Sequence, residues 1–596
     1  MTVDATSTFQ SPLVLHGGVA SPQAPKNGFD LLHQAGLNSG TYRRTTRMYE
    51  NDVVLAKHLE EAKAAGLDTW LTILGTPEDM QTTGSTTVYQ TWSIPPYART
   101  VPNNLGEWAS RVVERLDRIE EDSGVLPDYV EIWNEIDRPE FWEGSLLDYL
   151  ELYSVTAAAI RAAHPQVKIG GPGLAGQFST LEGSESALDS LARHCAQYSL
   201  PLDFLSWHHY TEANEFDLTG VVTRLNDLCD SLGLQNVETV VSEWNIWPNA
   251  QHDPINFDTS RAASQLGGFL TTALYAGLDR SVYFQMFDIT VFNGDPMLDL
   301  QGAHMGMVTT HGIKKPAAHV MSMIARMMDD QVLVSTPDEM EYGVRVLASR
   351  TPDRIRLLVS NDDVDARWLW VEKCRVNGLV AGELFDAVMQ AATQVGVAEP
   401  TAQQLAATGL VSLYEAEFSL TTLAECQLLE SLEGTTREVR IRLDNLTSTE
   451  LATGEFGKIV VFDSTNNNPT LNVSQIQTDL VAAEELGYVL AFEDTATFLH
   501  KSYGYVVTGP ELQQTGITQW LENNGGNGNQ IFNAQVTFKE ALISRRMETW
   551  RSWETHPATR LQLQDAGVMG ISFDRQTHEV VLQMEPNSVT FIELRM

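Results

Sequence analysis

From about Leu13 onward, short runs rich in β-branched and aromatic residues alternate with stretches whose apolar positions recur every three to four residues. The clearest strand-like runs begin at Tyr129, Val167, Phe204, Thr239 and Ser281, so successive starts lie 38, 37, 35 and 42 residues apart. Earlier strands are expected at Leu13–Leu15, Gly40–Arg44 and Thr69–Leu74. Between the strands, Leu146, Tyr149, Leu150, Tyr153, Ala157 and Ile160 share one helical face, as do Leu266, Phe269, Leu270, Ala273 and Leu274. A strand–helix repeat of this length implies parallel strands joined by right-handed crossovers. Such a repeat closes into a barrel or opens into a doubly wound sheet, and the period alone does not choose.

Past Met328 the period changes. Tyr342–Ala348 and Arg354–Ser360 alternate with period two around a Thr351-Pro-Asp353 turn, which predicts a hairpin. Val439–Leu443 and the closing stretch through Leu594 read the same way. Helix-like stretches at Glu383–Val395 and Gln475–Glu485, and a polar loop at Asn523–Gln530, interrupt these strands as insertions. A chain of 596 residues exceeds one core. The expected division is residues 1–330 as an α/β unit and 331–596 as a β-rich unit with insertions.

Charge narrows the partners. The formal charge is −39, with 78 acidic against 39 basic residues, and a field of that sign repels nucleic acid and anionic membrane. No run of about 18 apolar residues is present to span a bilayer. The opening MTVDATSTFQ has neither a basic start nor an apolar core, so a cytoplasmic protein, or one whose leader has been removed, is expected. Cys195, Cys229, Cys374 and Cys426 form no C-x-x-C pair and are expected as ordinary buried thiols. The run Gly171-Pro-Gly-Leu-Ala-Gly176 satisfies G-x-G-x-x-G after a strand, but no clear helix opens at its last glycine and no acidic strand end follows at the right distance. It is expected to be a glycine-rich rim loop, and no metal or cofactor is expected.

Two stretches carry the chemistry. Asp128–Asp137 (DYVEIWNEID) and Thr239–Pro248 (TVVSEWNIWP) each run from a strand into a Trp- and Asn-bearing loop, with Glu135 and Glu243 at the strand ends. Their separation of 108 residues equals three units of 36, which in a barrel sets them three strands apart at the C-terminal mouth. Lone rim glutamates are commonly solvated or ion-paired. Two in matched W-N-E and S-E-W-N contexts suit a cleft that needs an acid and a base together. Retaining glycosidic cleavage has that need, because one carboxylate must attack while the other holds a proton.

The stretch IWNEIDRPEFW resembles the acid/base segment of the clan A glycoside hydrolases, in particular family 39, the β-xylosidase and α-L-iduronidase family. SEWN resembles that family's nucleophile strand, and SWHHY (Ser206–Tyr210) resembles the end of its sixth strand. YFQMFDI followed by Gly302–Ile324 is similar to its eighth strand and the segment leading into the eighth helix. The resemblance implies a (β/α)8 TIM barrel followed by a C-terminal β-sandwich, and a carbohydrate substrate. It implies Glu135 as acid/base, Glu243 as nucleophile, Asn134 on the sugar 2-hydroxyl and Tyr210 orienting Glu243. His208 or His209 would donate to sugar hydroxyls, and Arg43 or Arg44 would be the buried arginine near the nucleophile. Trp142, Trp244 and Trp247 are candidates for stacking on a pyranose. The chain departs from the family at Ile136-Asp137, where Pro-Asn is usual, at Phe284, which stands at a subsite-floor tryptophan, and at Tyr42–Asp52, which lacks the usual histidine. These departures bear on sugar specificity, and Arg47 is the candidate for meeting an acidic sugar. The alternatives are an α-L-iduronidase-like glycosidase, a non-catalytic carbohydrate-binding protein and a nucleotide-dependent oxidoreductase. Self-association is left open by the sequence.

Overall fold

The computed structural model describes residues 2–9, 17–19, 40–48, 53–82, 94–176, 186–210, 218–246, 257–286, 305–308, 314–328, 330–335, 343–363, 370, 374, 379, 381–432, 434–467, 473–531, 533–538, 541–542 and 561–596. The strand expected at Leu13–Leu15, Trp92 and Trp247 lie outside these residues, as does part of Gly302–Ile324.

Eight parallel strands close into a barrel: β2 (Gly17–Val19), β3 (Thr41–Arg47), β4 (Asp68–Leu74), β5 (Tyr129–Ile132), β6 (Lys168–Leu174), β7 (Phe204–Tyr210), β8 (Glu238–Asn245) and β9 (Arg280–Tyr283). Closure runs through the pairing of Gly18 with Tyr283. The open doubly wound sheet is thereby excluded. The helical faces read from the sequence are the buried ones: Leu146, Tyr149, Leu150, Tyr153, Ala157 and Ile160 line the inner side of Leu146–Ala163. That helix starts at a capping box in which Ser145 and Asp148 satisfy each other's backbone donors.

Trp70, Tyr129, Phe204 and Val240 fill the barrel floor. Beneath them Arg280 donates to Asp68 at 2.9 Å and to the Tyr129 hydroxyl at 2.8 Å. Above the floor the interior turns polar, which is where the site begins.

The second sheet has nine strands in the order β14-β17-β12-β11-β10-β1-β13-β16-β15. They are β1 (Thr2–Phe9), β10 (Gln331–Ser335), β11 (Val344–Thr351), β12 (Arg354–Asn361), β13 (Arg437–Asp444), β14 (Glu455–Phe462), β15 (Ser572–Asp574), β16 (Glu579–Met584) and β17 (Ser588–Arg595). The β11–β12 hairpin turns where the sequence indicated, with Thr351 opposite Arg354. β1 pairs with β10 and β13, so residues 2–9 belong with the C-terminal sheet and the division expected at residue 330 does not hold for them.

Helices Ala381–Val395, Ala402–Ala407 and Leu413–Leu432 carry an apolar cluster of their own, as do Val473–Tyr503, Gly509–Thr515 and Ile517–Asn523. The second group begins in the expected stretch but extends well past Glu485. The helix Ser260–Ala276 joins barrel to sheet. Tyr275 donates to the Leu333 carbonyl at 3.0 Å, and a Cβ on Gly267 would lie 3.2 Å from the Ser360 Cβ, so the helix approaches β12 closely at that point. Among the described residues, no helix is long and apolar enough to cross a membrane.

Candidate active site

Alternation along each strand sends every second side chain into the barrel. On β3, Tyr42 and Thr46 turn to the helices, meeting His58 at 3.3 Å and Arg115 at 2.8 Å, so Arg43 turns inward. On β7, His209 packs on Phe269 with ring centroids 5.5 Å apart, leaving His208 and Tyr210 on the inner row. On β8 a register shift after Val241 resets the alternation, so that Glu243 turns in beside His208 and Trp244 turns out. After β5 the backbone enters the left-handed region at Trp133 (φ 73) and Glu135 (φ 49). Side chains rarely hold that region without support from their surroundings. Here Glu135 N–H donates to the Gly173 carbonyl at 2.8 Å and Trp133 N–H to the Ile73 carbonyl at 2.9 Å. Glu135 is thus pinned over the mouth by the glycine-rich segment that imitates a nucleotide loop.

Glu135, His208 and Glu243 each offer an atom within 4.8 Å of the others, although the glutamates are 108 positions apart in the chain. His208 Nδ1 lies 2.8 Å from Glu135 Oε1 and 3.6 Å from Glu243 Oε2. Tyr210 donates to Glu243 Oε2 at 2.8 Å, and Arg43 Nη1 donates to Glu243 Oε1. Arg43 Nη2 also donates to Asn134 Oδ1 at 2.9 Å. The side chains of Arg43 and His208 are fully buried, whereas those of Glu135 and Glu243 retain 16% and 11% exposure. Solvent therefore reaches the two carboxylates and the part-buried Tyr210, while Arg43 and His208 are sealed beneath them.

Electrostatics separates them. Burial pushes Glu135 above the ordinary carboxyl range; the charges of Glu243 and Asp137 add to this, and the adjoining His208 works against it. His208 is itself raised: burial opposes its charged form, and the anions of Glu243 and Glu135 outweigh burial. Burial, reinforced by Glu243 and Glu135, drives the Tyr210 hydroxyl well up, so it stays a donor. Arg43 is cationic, its burial outweighed by Glu131 and Glu243. A carboxyl inclined to keep its proton and a carboxylate accepting from Arg43 and Tyr210 thus have oxygens within 4.8 Å of each other. Two carboxylates and an imidazole could also hold a hard or borderline divalent cation. But the Arg43 and Tyr210 donors already occupy both Glu243 oxygens, which fits that use poorly.

Other residues named from sequence land elsewhere. Trp244 is stacked on Phe269 at 3.9 Å and is 1% exposed, so it is a packing residue of the helix layer and offers no sugar-stacking face. His209 shares that layer and is not the inner histidine. Trp142 packs edge-on against Trp133 at 4.7 Å, donates to the Ser145 carbonyl at 3.2 Å and is 2% exposed, again core. Arg44 acts electrostatically on Tyr42, which faces the helix side of β3, and alternation sets Arg44 on that side, leaving Arg43 as the arginine of the site. Phe284 is half-buried with its ring 6.1 Å from Tyr210, at the edge of the cluster.

Sequence reasoning passed over two residues. Glu131, on the strand that leads into the W-N-E motif, is fully buried beneath the site. An acid inside the apolar strand Tyr129–Ile132 was the available signal. Asn245 ties the end of β8 to the ninth strand's exit, donating to the Phe284 carbonyl and, at 3.0 Å, to that of Met305.

Comparisons with known proteins agree with this geometry. The model of Glycosyl hydrolases family 39 matches residues 76–380, just over half of the chain. A β-xylosidase of Geobacillus stearothermophilus is 25% identical over 250 residues, covering 39% of this chain and 48% of that protein. A β-xylosidase of Caldicellulosiruptor saccharolyticus is 23% identical over 293 residues, covering 46% and 57%. The chain thus spans about half the length of these relatives. Among solved structures, a family 39 β-xylosidase from Caulobacter crescentus superposes with a TM-score of 0.56 at 15% identity, over 100% of this chain and 99% of that one. At that identity the likeness speaks for the fold.

Proposed function

The chain belongs to the glycosyl hydrolases of family 39, and on that premise we propose that it is a retaining O-glycoside hydrolase of β-xylosidase type. The observation that carries this is that an oxygen of Glu135 lies within 4.8 Å of an oxygen of Glu243, in unlike surroundings, which is nearer the spacing of retaining than of inverting pairs. Retaining enzymes hold their two carboxyl groups about 5–5.5 Å apart, whereas inverting ones leave about 6.5–9.5 Å for a water.

In this reading Glu243 attacks the anomeric carbon while Glu135 gives its proton to the departing oxygen. The sugar is then held as an ester of Glu243. Glu135, now a carboxylate, removes a proton from water, which attacks the same carbon and restores Glu243. Each step inverts, so configuration is retained overall. Asn134 Oδ1 is taken by Arg43, which leaves its amide nitrogen to donate to the sugar 2-hydroxyl. Tyr210 orients Glu243, and His208 holds Glu135. Phe284 supplies an apolar edge to the subsite. The names of the relatives favour a xylose-like pyranose over a uronide. We also read the second sheet as a β-sandwich, folded at β1 around one shared apolar cluster, with the helical groups as insertions. Apart from residues 2–9, the division at residue 330 serves as the domain boundary.

The test is a panel of aryl glycosides that includes β-xylosides and α-L-iduronides, with the anomer of the first product followed by proton NMR. A β-xyloside is expected to yield β-xylose first. Glu243→Ala should abolish turnover, and azide should restore it by entering the vacated space and forming a glycosyl azide. Inverted product, or full activity in Glu243→Ala, would end the assignment. Preference for the iduronide would move the substrate to acidic sugars.

A further inference from the structure

Glu131 has no part in the double displacement, yet its side chain is fully buried, as is that of Arg43. Its Oε2 accepts from Arg43 Nε at 3.1 Å, Arg43 Nη2 at 2.6 Å and Thr72 Oγ1 at 2.6 Å, with Trp70 Nε1 at 3.4 Å. Its Oε1 accepts from Ser206 Oγ at 2.6 Å. All these partners donate, so the site is built for the anion. Burial opposes that charge, and Arg43, His208, Ser206 and Thr72 overcome it, leaving Glu131 below the ordinary range. For stability alone such an arrangement is poor value, because a buried ion pair commonly gains little over apolar residues of the same volume.

The guanidinium explains its presence. Arg43 turns Nε and Nη2 to Glu131, Nη1 to Glu243, and shares Nη2 with Asn134. With no second anion, its charge would fall on Glu243 alone, and a carboxylate paired through both oxygens is a weaker nucleophile. Gly173 links the same residue to the acid. Its N–H donates to Ser206 Oγ at 3.1 Å, and its carbonyl accepts from Glu135 N–H. Its φ of +57° suits glycine, and a Cβ there would come within 3.0 Å of Glu131 Oε1.

We propose that Glu131 is a positioning residue, a buried counter-charge that fixes Arg43 so that it serves Glu243 and Asn134 together without collapsing onto the nucleophile. This rests on the retaining-hydrolase reading above. The charged and titratable groups facing Glu131 are Arg43 from β3 and His208 from β7, with Tyr149 from the helix Leu146–Ala163 as an electrostatic neighbour; Glu243 couples to it through Arg43.

The experiment uses the full chain with Glu131→Gln, which keeps the volume and removes the charge. With 2,4-dinitrophenyl β-xyloside, which departs without acid assistance, kcat/KM should fall about 10- to 100-fold. The acidic limb of its pH profile should move to lower pH, because an uncompensated Arg43 favours the anionic form of neighbouring carboxylates. Glu131→Asp should restore part of the rate. A lower Tm with kcat/KM and the limb unmoved would overturn the proposal and leave Glu131 structural. Should Glu131→Gln not fold, the near-isosteric Thr72→Val, which removes one donor from Oε2, is expected to lower kcat/KM about 3- to 10-fold; no change there would overturn it equally. A crystal structure of Glu131→Gln tests the idea apart from turnover. Arg43 should lie on both oxygens of Glu243 and off Asn134, and an unmoved Arg43 refutes the proposal even if the xyloside reading stands. A wild type inert on every glycoside would instead refute that reading.

Discussion

Replacing Glu135 separates its two roles. General acid–base assistance contributes about 10²- to 10⁴-fold, or about 3–5 kcal/mol at 1.36 kcal/mol per decade. The size of the loss depends on how much the departing oxygen needs the proton. A dinitrophenolate needs none and an alkoxide needs it fully. In Glu135→Gln, kcat/KM should therefore be close to wild type for 2,4-dinitrophenyl β-xyloside and lowered by the full factor for xylobiose. Burial raises Glu135, and the protonated form is the competent acid, so activity on poor leaving groups falls as pH rises through its pKa. That basic limb should vanish in Glu135→Gln. The structure adds a second difference. His208 Nδ1 lies 2.8 Å from Glu135 Oε1 and only 3.6 Å from Glu243 Oε2. Glutamine keeps an acceptor for the imidazole; alanine does not. In Glu135→Ala, His208 turns to Glu243 and a charge-assisted hydrogen bond, about 1.5–3 kcal/mol, must be loosened before attack. Even the dinitrophenyl substrate should then lose a further ~10- to 100-fold. The assay is kcat/KM for aryl xylosides spanning a range of phenol pKa, wild type against both variants, with azide added. The dependence on phenol pKa should steepen in both, and azide should raise kcat on activated substrates as xylosyl azide forms. Equal losses across the series in Glu135→Gln would refute the acid role. Identical behaviour of Gln and Ala on the dinitrophenyl substrate would refute the part given to His208.

Two further predictions concern packing and pH. Trp142→Phe removes the hydrogen bond to Ser145 and part of the contact with Trp133, so it should cost about 1–3 kcal/mol in denaturant unfolding with KM unchanged; a KM raised severalfold at unchanged stability would return Trp142 to the subsite. Asp362, buried between the helix Ser260–Ala276 and β12, is pushed up to about 7 by burial against the pull of Arg261 and Ser264. The native state then binds more protons than the unfolded state between about pH 4 and 7, so stability falls as pH rises through that window, by at most about 4 kcal/mol. Asp362→Asn should flatten that slope in Tm measured against pH, and an unchanged slope would refute the assignment.

The strands and their order were legible because each barrel strand is short, apolar and spaced by one helix, all of them local properties. Glu135 and Glu243 were legible for the same reason, each lying beside its own strand end. What stayed hidden depended on direction. His208 and His209, or Arg43 and Arg44, are adjacent in sequence and point to opposite sides of one strand. Choosing between them needs the strand's rotation about its axis, and the outer contacts to His58, Arg115 and Phe269 reveal it. Trp244 sits beside Glu243 and still belongs to the helix layer, for the same reason of parity. β1 escaped because its partners, β10 and β13, lie more than 300 positions away and no periodicity reports such a pairing. Glu131 was visible as a letter, and its meaning appears only once Arg43 is brought beside it.

On the proposed mechanism, charge balance inside the barrel makes the division of labour between the two glutamates a consequence of burial. Three carboxylates, Glu131, Glu135 and Glu243, share the interior with Arg43 and a histidine whose charged form its neighbours favour. Two cations cannot neutralise three anions, and an uncompensated charge is costly where water is excluded. One carboxyl must therefore hold a proton or reach solvent. Glu131 is enclosed by donors and lies below the ordinary range, while Glu243 accepts from both Arg43 and Tyr210. Among the described residues Glu135 has neither an arginine nor a hydroxyl donor among its side-chain partners, and its side chain is the most exposed of the three. Burial favours a proton on it, over the mouth, where a leaving oxygen would arrive in the proposed mechanism. Once that proton is given away, Glu243 has spent its own charge in the ester, the balance is restored, and Glu135 can exist as the anion that the second displacement requires.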